Sequence, residues 1–171
     1  PRVEHVLRTG EATWDAGLLL FLERSGKPEE TYHTFSYSPA PADEAGQIGG
    51  LFCVVVEETE RVIGERRLAA LQALATAFAQ TKTEAEVYAA LERCLSADGR
   101  DLPFTLSYAF DAREGVARRA SLTNIDADHP AATATLALDR PGRWGLDVLR
   151  ATGETQLVSL EGEVEWPRGP W

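Results

Sequence analysis

The stretch GGLFCVVVEETER, residues 49–61, decides the fold because the hydrophobic period of the chain changes within it. Its apolar run, residues 51–56, has the length and the β-branched content of a strand. From residue 59 to residue 97 there is no proline, Gly64 is the only glycine, and apolar residues recur every three or four positions. That spacing predicts a strand that runs directly into a helix.

Upstream of this stretch, the pattern predicts a short helix followed by two further strands. The helix covers Val3 to Arg8 and ends before Gly10, since glycine just past a helix is a common stop signal. Strands are predicted at 12–23, 29–38 and 47–58, with a turn and a loop rich in Gly, Pro and acidic residues between them. Three strands with short connections imply an antiparallel meander.

The predicted long helix carries an apolar stripe. Leu68, Leu71, Ala75 and Phe78 recur at spacings of three, four and three, which corresponds to about two coiled-coil heptads. The stripe has two interpretations: an amphipathic helix that packs on its own domain, or the seam of a dimer.

Downstream, the sequence predicts a second group of helices and strands. Thr83 and Glu86 have the spacing of a capping box, so a second helix is expected to begin near Glu84. The further elements predicted are a strand pair at 104–110 and 116–123, a short extended piece at 134–138, a helix at 144–152 and a strand at 156–160.

Composition narrows the function classes. The net charge of −10 argues against a nucleic-acid partner, because phosphate binding needs clustered Lys and Arg. No apolar run approaches the roughly 18 residues that a membrane span needs. Cys53 and Cys94 are expected to be buried, reduced thiols, which fits a cytoplasmic protein.

No complete catalytic site is recognisable in the sequence. His5, His33 and His129 lack the neighbours of a phospho-accepting or nucleophile-activating histidine, so we interpret them as ordinary polar residues. His33 and Cys53 are on neighbouring predicted strands, but two candidates do not make a zinc site. Gly49 and Gly50 indicate a bulge or close packing and not a phosphate-binding loop. We therefore predict no enzyme activity and no metal in this part of the chain.

Residues 1 to about 62 resemble the C-terminal half of a PAS domain. The segment ETYHTFSYSP, residues 30–39, resembles the penultimate strand, and residues 49–61 resemble the last strand and its exit. PAS domains often carry Asp-Ile-Thr before the relay helix, and Glu57, Glu58 and Thr59 occupy those positions here. Glu58 departs from the pattern because it replaces the apolar middle residue.

Residues from about 66 to 171 resemble the front part of a GAF domain, with entry helices, a strand pair, and a helix and strand at 144–160. The bilin-attaching cysteine of some GAF domains has no counterpart, since residues 98–171 contain no cysteine. The expected fold is α+β: PAS-like antiparallel strands, a connecting helix, and a GAF-like α/β sandwich with an antiparallel sheet, truncated at both ends. The expected division is 1–60, 61–82 and 83–171.

The resemblance implies a sensory and signal-relay region of a two-component sensor histidine kinase. A PAS signal would pass through the helix to the GAF part, and a phosphorelay would begin at a kinase domain further along the same chain. The expected partner is a second copy, bound through the linker helix as a homodimer. The residues expected to carry the relay are Glu57, Thr59, Leu68, Leu71 and Phe78.

An alternative is a module that binds a small molecule or a cofactor, such as heme, flavin or a cyclic nucleotide. Another is the regulatory part of a diguanylate cyclase. The candidate pocket wall consists of Phe35, Tyr37, Phe52 and Val54. Alternation places His33, Phe35 and Tyr37 on one face of their strand, and periodicity alone leaves open which face looks inward.

Overall fold

The computed structural model describes residues 2–24, 26–42, 46–97, 99–160, 162 and 164–169. Within them the chain is mixed α+β, with two three-stranded antiparallel sheets and four helices. In chain order the elements are α1 (Arg2–Thr9), β1 (Thr13–Arg24), β2 (Lys27–Pro41), β3 (Ile48–Glu57), α2 (Thr59–Phe78), α3 (Glu84–Leu95), β4 (Thr105–Asp111), β5 (Val116–Thr123), β6 (Thr135–Ala137) and α4 (Leu146–Thr152).

The chain divides into two compact units, and the boundary between them, at Arg67 and Leu68, lies inside α2. It also lies inside the predicted linker, residues 61–82. The first unit therefore contains the first sheet, α1 and the beginning of α2. The second contains the rest of α2 and the elements that follow it.

The first sheet has the order β1-β2-β3, with both pairs antiparallel, which confirms the predicted meander. Two bulges interrupt its register, one beside Gly17 in β1 and one beside Gly49 in β3. A Cβ added to Gly49 would lie 2.5 Å from the Cβ of Ala42, so the backbones approach too closely for a side chain. Close packing at a bulge explains this glycine, as the sequence predicted.

The β1–β2 hairpin is longer than β3. Strand β3 ends at Glu57, opposite His33, whereas β1 and β2 stay paired as far as Arg24 and Lys27. The part beyond β3 forms a two-stranded arm, made of residues 19–24 and 27–32. The arm contacts the beginning of α2 through Glu30, which binds Arg66.

Helix α1 contacts β2 and β3 and buries Val6 completely. Arg2 of this helix forms an ion pair with Asp15, which is the cross-strand neighbour of Phe35. The ion pair places the start of α1 on the face of the sheet that carries Phe35 and Tyr37.

The second unit has the sheet β4-β5-β6, with antiparallel pairs, and α3 packs on β5. The predicted capping box is present: the Thr83 hydroxyl accepts a hydrogen bond from the Glu86 amide at 3.3 Å, and the Glu86 carboxylate accepts one from the Thr83 amide at 3.2 Å. Ala90 of α3 is buried. Helix α4 ends at Gly153, whose positive φ of 69° satisfies the expected stop.

Two sequence predictions are wrong. Residues 156–160 form no strand, because they pair with no other strand in the described part of the chain and are mostly exposed. A strand needs a hydrogen-bonded neighbour, which a local pattern cannot supply. The second wrong prediction is that both cysteines are buried: Cys53 is exposed and Cys94 is half-buried. Cys53 is exposed because it lies uncovered on β3, which is an edge strand.

Candidate functional site

The end of β3 and the start of α2 form a junction held by Glu57. Its carboxylate accepts two hydrogen bonds from the Arg24 guanidinium, at 2.9 and 3.3 Å, and a third from the Thr59 hydroxyl at 2.9 Å. The same hydroxyl accepts a hydrogen bond from the Tyr32 amide at 3.0 Å. Glu57 therefore connects the tip of the hairpin arm, the end of β3 and the first turn of α2.

Glu58 makes a second connection at the junction. The Thr34 hydroxyl donates a hydrogen bond to its carboxylate and accepts one from the Gly17 amide at 3.0 Å. Arg61 donates to the other Glu58 oxygen at 2.9 and 3.2 Å. The Glu58 amide also donates to the Tyr32 carbonyl at 2.8 Å, which continues the strand pairing by one residue. This chain of contacts links the β1 bulge to the helix.

The third connection is an ion pair between the arm and α2. Arg66 donates two hydrogen bonds to the Glu30 carboxylate, at 2.7 and 3.0 Å. The Glu30 side chain is only 6% exposed and that of Arg66 only 20%. The Tyr32 hydroxyl donates to the same carboxylate at 2.6 Å. Because the pair is bidentate and little exposed, it fixes the direction in which α2 leaves the sheet.

The contacts shift the protonation equilibria at the junction. The hydrogen bonds from Arg24 and then Thr59 lower the pKa of Glu57, and those from Thr34 and then Arg61 lower the pKa of Glu58. The pKa of Arg24 is raised by Glu57, and the pKa of Arg61 by Glu65 and Glu58. Both carboxylates are therefore held in the charged form that the ion pairs need.

A groove of about 610 Å³ lies along this junction and is lined by Arg24, Glu57, Glu58, Thr59, Glu60 and Arg61. Along it Glu57 pairs with Arg24 and Thr59, and Glu58 pairs with Arg61. Such an arrangement suits the mechanical attachment of a helix to a sheet better than proton transfer or nucleophilic attack, which need a reactive group poised toward a substrate.

The predicted relay residues fall into two groups. Glu57 and Thr59 are brought together at the junction. Leu68, Leu71 and Phe78 lie further along α2 and are exposed, and Leu71 is 64% exposed. Among the described residues α2 buries none of its side chains. The apolar stripe is therefore largely uncovered within the described part of the chain.

The four residues of the predicted pocket wall do not share one face. The register pairs Phe35 with Val55 and Tyr37 with Cys53, whereas Phe52 and Val54 are opposite Ser38 and Ser36. Directly paired residues point to the same side of a sheet. The pair Phe35 and Tyr37, whose rings stack at 6.3 Å, is therefore on the α1 side, and the exposed Phe52 and Val54 are on the other.

The second unit contains an aromatic cluster around Trp166. Its indole contacts the rings of Phe104, His129 and Trp144, with centroids 5.5, 5.3 and 6.1 Å away, and Arg143 lies over it at 5.4 Å. His129 also bonds the Glu165 carbonyl at 2.9 Å. The cluster accounts for how residues 164–169 are attached to this unit.

Sequence reasoning missed four residues of the junction, namely Arg24 and Glu30 of the arm, Thr34 of β2 and Arg66 of α2. One signal could have found part of the set: Glu30, Tyr32 and Thr34 alternate along β2, so these polar groups share the face toward which α2 must turn. The partners Arg24 and Arg66 are 33 and 36 residues from theirs, and no local pattern indicates them.

No family model matches the chain, and comparisons with curated proteins and with solved structures found no match either. In the part of the chain that the structure describes, no group of three or more His, Cys, Asp or Glu could hold a metal ion. Nor does any helix there combine the length and the apolar character needed to cross a membrane.

Proposed function

We propose that the chain is the sensory and signal-relay region of a cytoplasmic, two-component sensor histidine kinase. Its first unit is the C-terminal half of a PAS domain, and its second is the front part of a GAF domain. The observation that supports this proposal is the junction, where Glu57 ties the hairpin arm and the last strand to the first turn of α2.

The junction supports a relay because the side-chain contacts of Thr59 and Arg66 that join the helix to the sheet lie in its first turns. A change in the sheet or the arm displaces Arg24, Tyr32 or Thr34, and each of these contacts Glu57, Glu58 or Thr59. The displacement changes the rotation or tilt of α2. The sensor therefore shifts a downstream kinase domain between two states by changing the direction of a helix.

The exposed stripe supplies the second part of the mechanism. Leu68, Leu71, Ala75 and Phe78 form the seam of a parallel homodimer, in which each helix covers the stripe of its partner. In such a dimer, rotation at the junction repacks the seam, and this repacking carries the signal along the helix.

Substitution of Leu71 tests the seam. Leu71→Asp places a carboxylate in the dimer interface, so we expect the dimerisation constant, measured by sedimentation equilibrium, to weaken by about 100-fold. The matched control is Ala73→Asp, which puts the same charge on the outermost face of the same helix and should leave dimerisation unchanged. A wild-type chain that stays monomeric at high concentration would contradict the proposal.

These two variants, together with Glu57→Gln at the junction, test the relay in the full-length protein. We expect Leu71→Asp and Glu57→Gln to change the stimulus dependence of autophosphorylation, whereas Ala73→Asp should leave it as in the wild type. Unaltered regulation in Glu57→Gln would remove the junction from the signalling route even if the helices dimerise.

A further inference from the structure

His33 stands beside the junction in a position that the relay does not explain. It lies in the central strand β2, directly opposite Glu57 on β3 and Leu18 on β1. Its side chain is only 10% exposed, and its ring packs against that of Phe35 with centroids 5.8 Å apart. An imidazole is therefore buried between an aromatic ring and the carboxylate that holds the helix.

The hydrogen bonds of this imidazole are incomplete. Nδ1 is buried and has no hydrogen-bond partner among the described residues. Nε2 is 3.8 Å from the nearer Glu57 oxygen, which is too long for a hydrogen bond but within the range of an ion pair. Buried imidazoles usually satisfy both nitrogens. The Glu57 carboxylate is therefore within ion-pair range of Nε2, and Nδ1 has no polar partner among the described residues.

The charged groups around His33 determine what its protonation does. Glu57 of β3 is the acid that faces the ring, and β1 contributes only Leu18 directly opposite. Arg24 of the arm and Thr59 of α2 both bind the Glu57 carboxylate. A proton on His33 therefore adds a second cation to a carboxylate that already binds one, and the attraction strengthens the hold of Glu57 on the junction.

We propose that His33 is a proton-sensitive switch that sets how firmly the junction holds the start of α2. Protonated His33 and Arg24 together hold Glu57 and keep the helix attached. With neutral His33, Arg24 is the remaining cation at Glu57, and the first turn of α2 opens more often. This inference rests on the proposed relay, because it assigns a regulating ligand, the proton, to the same junction.

Hydrogen exchange of the Tyr32 amide measures the switch directly, since this amide donates to Thr59 at the junction. Protection factors, which divide out the intrinsic pH dependence of exchange, are measured in the whole chain at about pH 8 and about pH 5.5, on either side of the usual histidine range. We expect the Tyr32 protection factor to rise by about two- to fivefold at the lower pH, the effect of one partly exposed ion pair.

The variant His33→Gln should abolish this pH dependence, and the matched control His5→Gln should retain it, since His5 is a half-buried histidine of α1 whose ring lies 3.4 Å from the Glu11 carboxylate. Glu57→Gln keeps the imidazole but removes its charged partner, so it should also give a flat profile, which covers the case of a His33 variant that fails to fold. A rise that persists in His33→Gln, or a wild type without any rise, overturns the switch. Either result leaves the dimer and autophosphorylation tests of the relay unaffected, so the two proposals fail separately.

Discussion

Helices α2 and α3 follow each other in the chain but are held in different ways. Helix α3 begins at its own capping box, packs on β5 and buries Ala90 to 1% exposure. Helix α2 is longer and buries none of its described side chains. It is fixed at its beginning by the Arg66 ion pair to Glu30 of β2 and by the hydrogen bond from Thr59 to Glu57 of β3, which also binds Arg24 of β1. Apolar packing fixes a helix along its length, whereas ion pairs at one end can be weakened without unfolding the domain. In the proposed relay, α3 therefore has a structural role and α2 transmits the signal.

The largest loss of stability is expected when the Arg66–Glu30 ion pair, the little-exposed contact between α2 and the arm, is broken. Arg66→Met keeps the apolar stem of the side chain but leaves the Glu30 carboxylate buried without its guanidinium. We expect the local free energy of opening of the arm and of the first turns of α2 to fall by roughly 2–4 kcal/mol. Hydrogen exchange followed by mass spectrometry measures this for each segment.

Arg93 on α3 provides the matched control for Arg66, because it is an exposed arginine on the helix that packing holds. Arg93→Met should change the opening free energy of α3 by less than about 0.5 kcal/mol. Equal losses in the two variants would show that ionic attachment does not distinguish α2 from α3.

A smaller loss of stability is expected when the N-cap of α3 is removed. Thr83→Ala removes the hydroxyl that accepts from the Glu86 amide, and the usual worth of an N-cap predicts a loss of about 1 kcal/mol in the opening free energy of α3. Thr83→Ser should restore most of it. The matched control on α2 is Thr76→Ala. The Thr76 hydroxyl donates to the Gln72 carbonyl one turn back, so its removal should leave the opening free energy of α2 unchanged. A comparable loss for Thr76→Ala would mean that α2 also depends on local contacts.

The sequence predicts most of what local chemistry determines. The change of period at residues 49–61 located β3 and α2, and Thr83 with Glu86 located the start of α3. The resemblance to a PAS exit pattern singled out Glu57 and Thr59, whose side chains are hydrogen-bonded at 2.9 Å, and their relay role stays a prediction. The division of the four candidate pocket residues between two faces could not be predicted, because the register of β2 against β3 decides the face of each residue, and that register depends on the bulge at Gly49.

The rest of the junction could not be predicted for a related reason. The positions of Arg24 and Arg66 depend on how far the hairpin extends past β3 and on where α2 leaves the sheet. These are properties of the assembled sheet. The predicted strand at 156–160 failed in the same way, since its apolar pattern has no neighbouring strand among the described residues to pair with.

The smallest expected effect concerns the exposed carboxylates of the junction at acidic pH. The folded-state pKa values of Glu57 and Glu58 are lowered by their hydrogen bonds, so both groups contribute stability above their unfolded-state pKa and lose it as the pH falls through the folded-state pKa. Protection of the Tyr32 amide should therefore decline between about pH 5 and about pH 3 in the wild type.

In the double variant Glu57→Gln, Glu58→Gln, this protection should be lower at the start and should decline less. In the control Glu92→Gln on α3, it should decline as in the wild type. Because these ion pairs are partly exposed, added salt should reduce the wild-type decline, and a decline that salt leaves unchanged would assign it to groups other than these carboxylates.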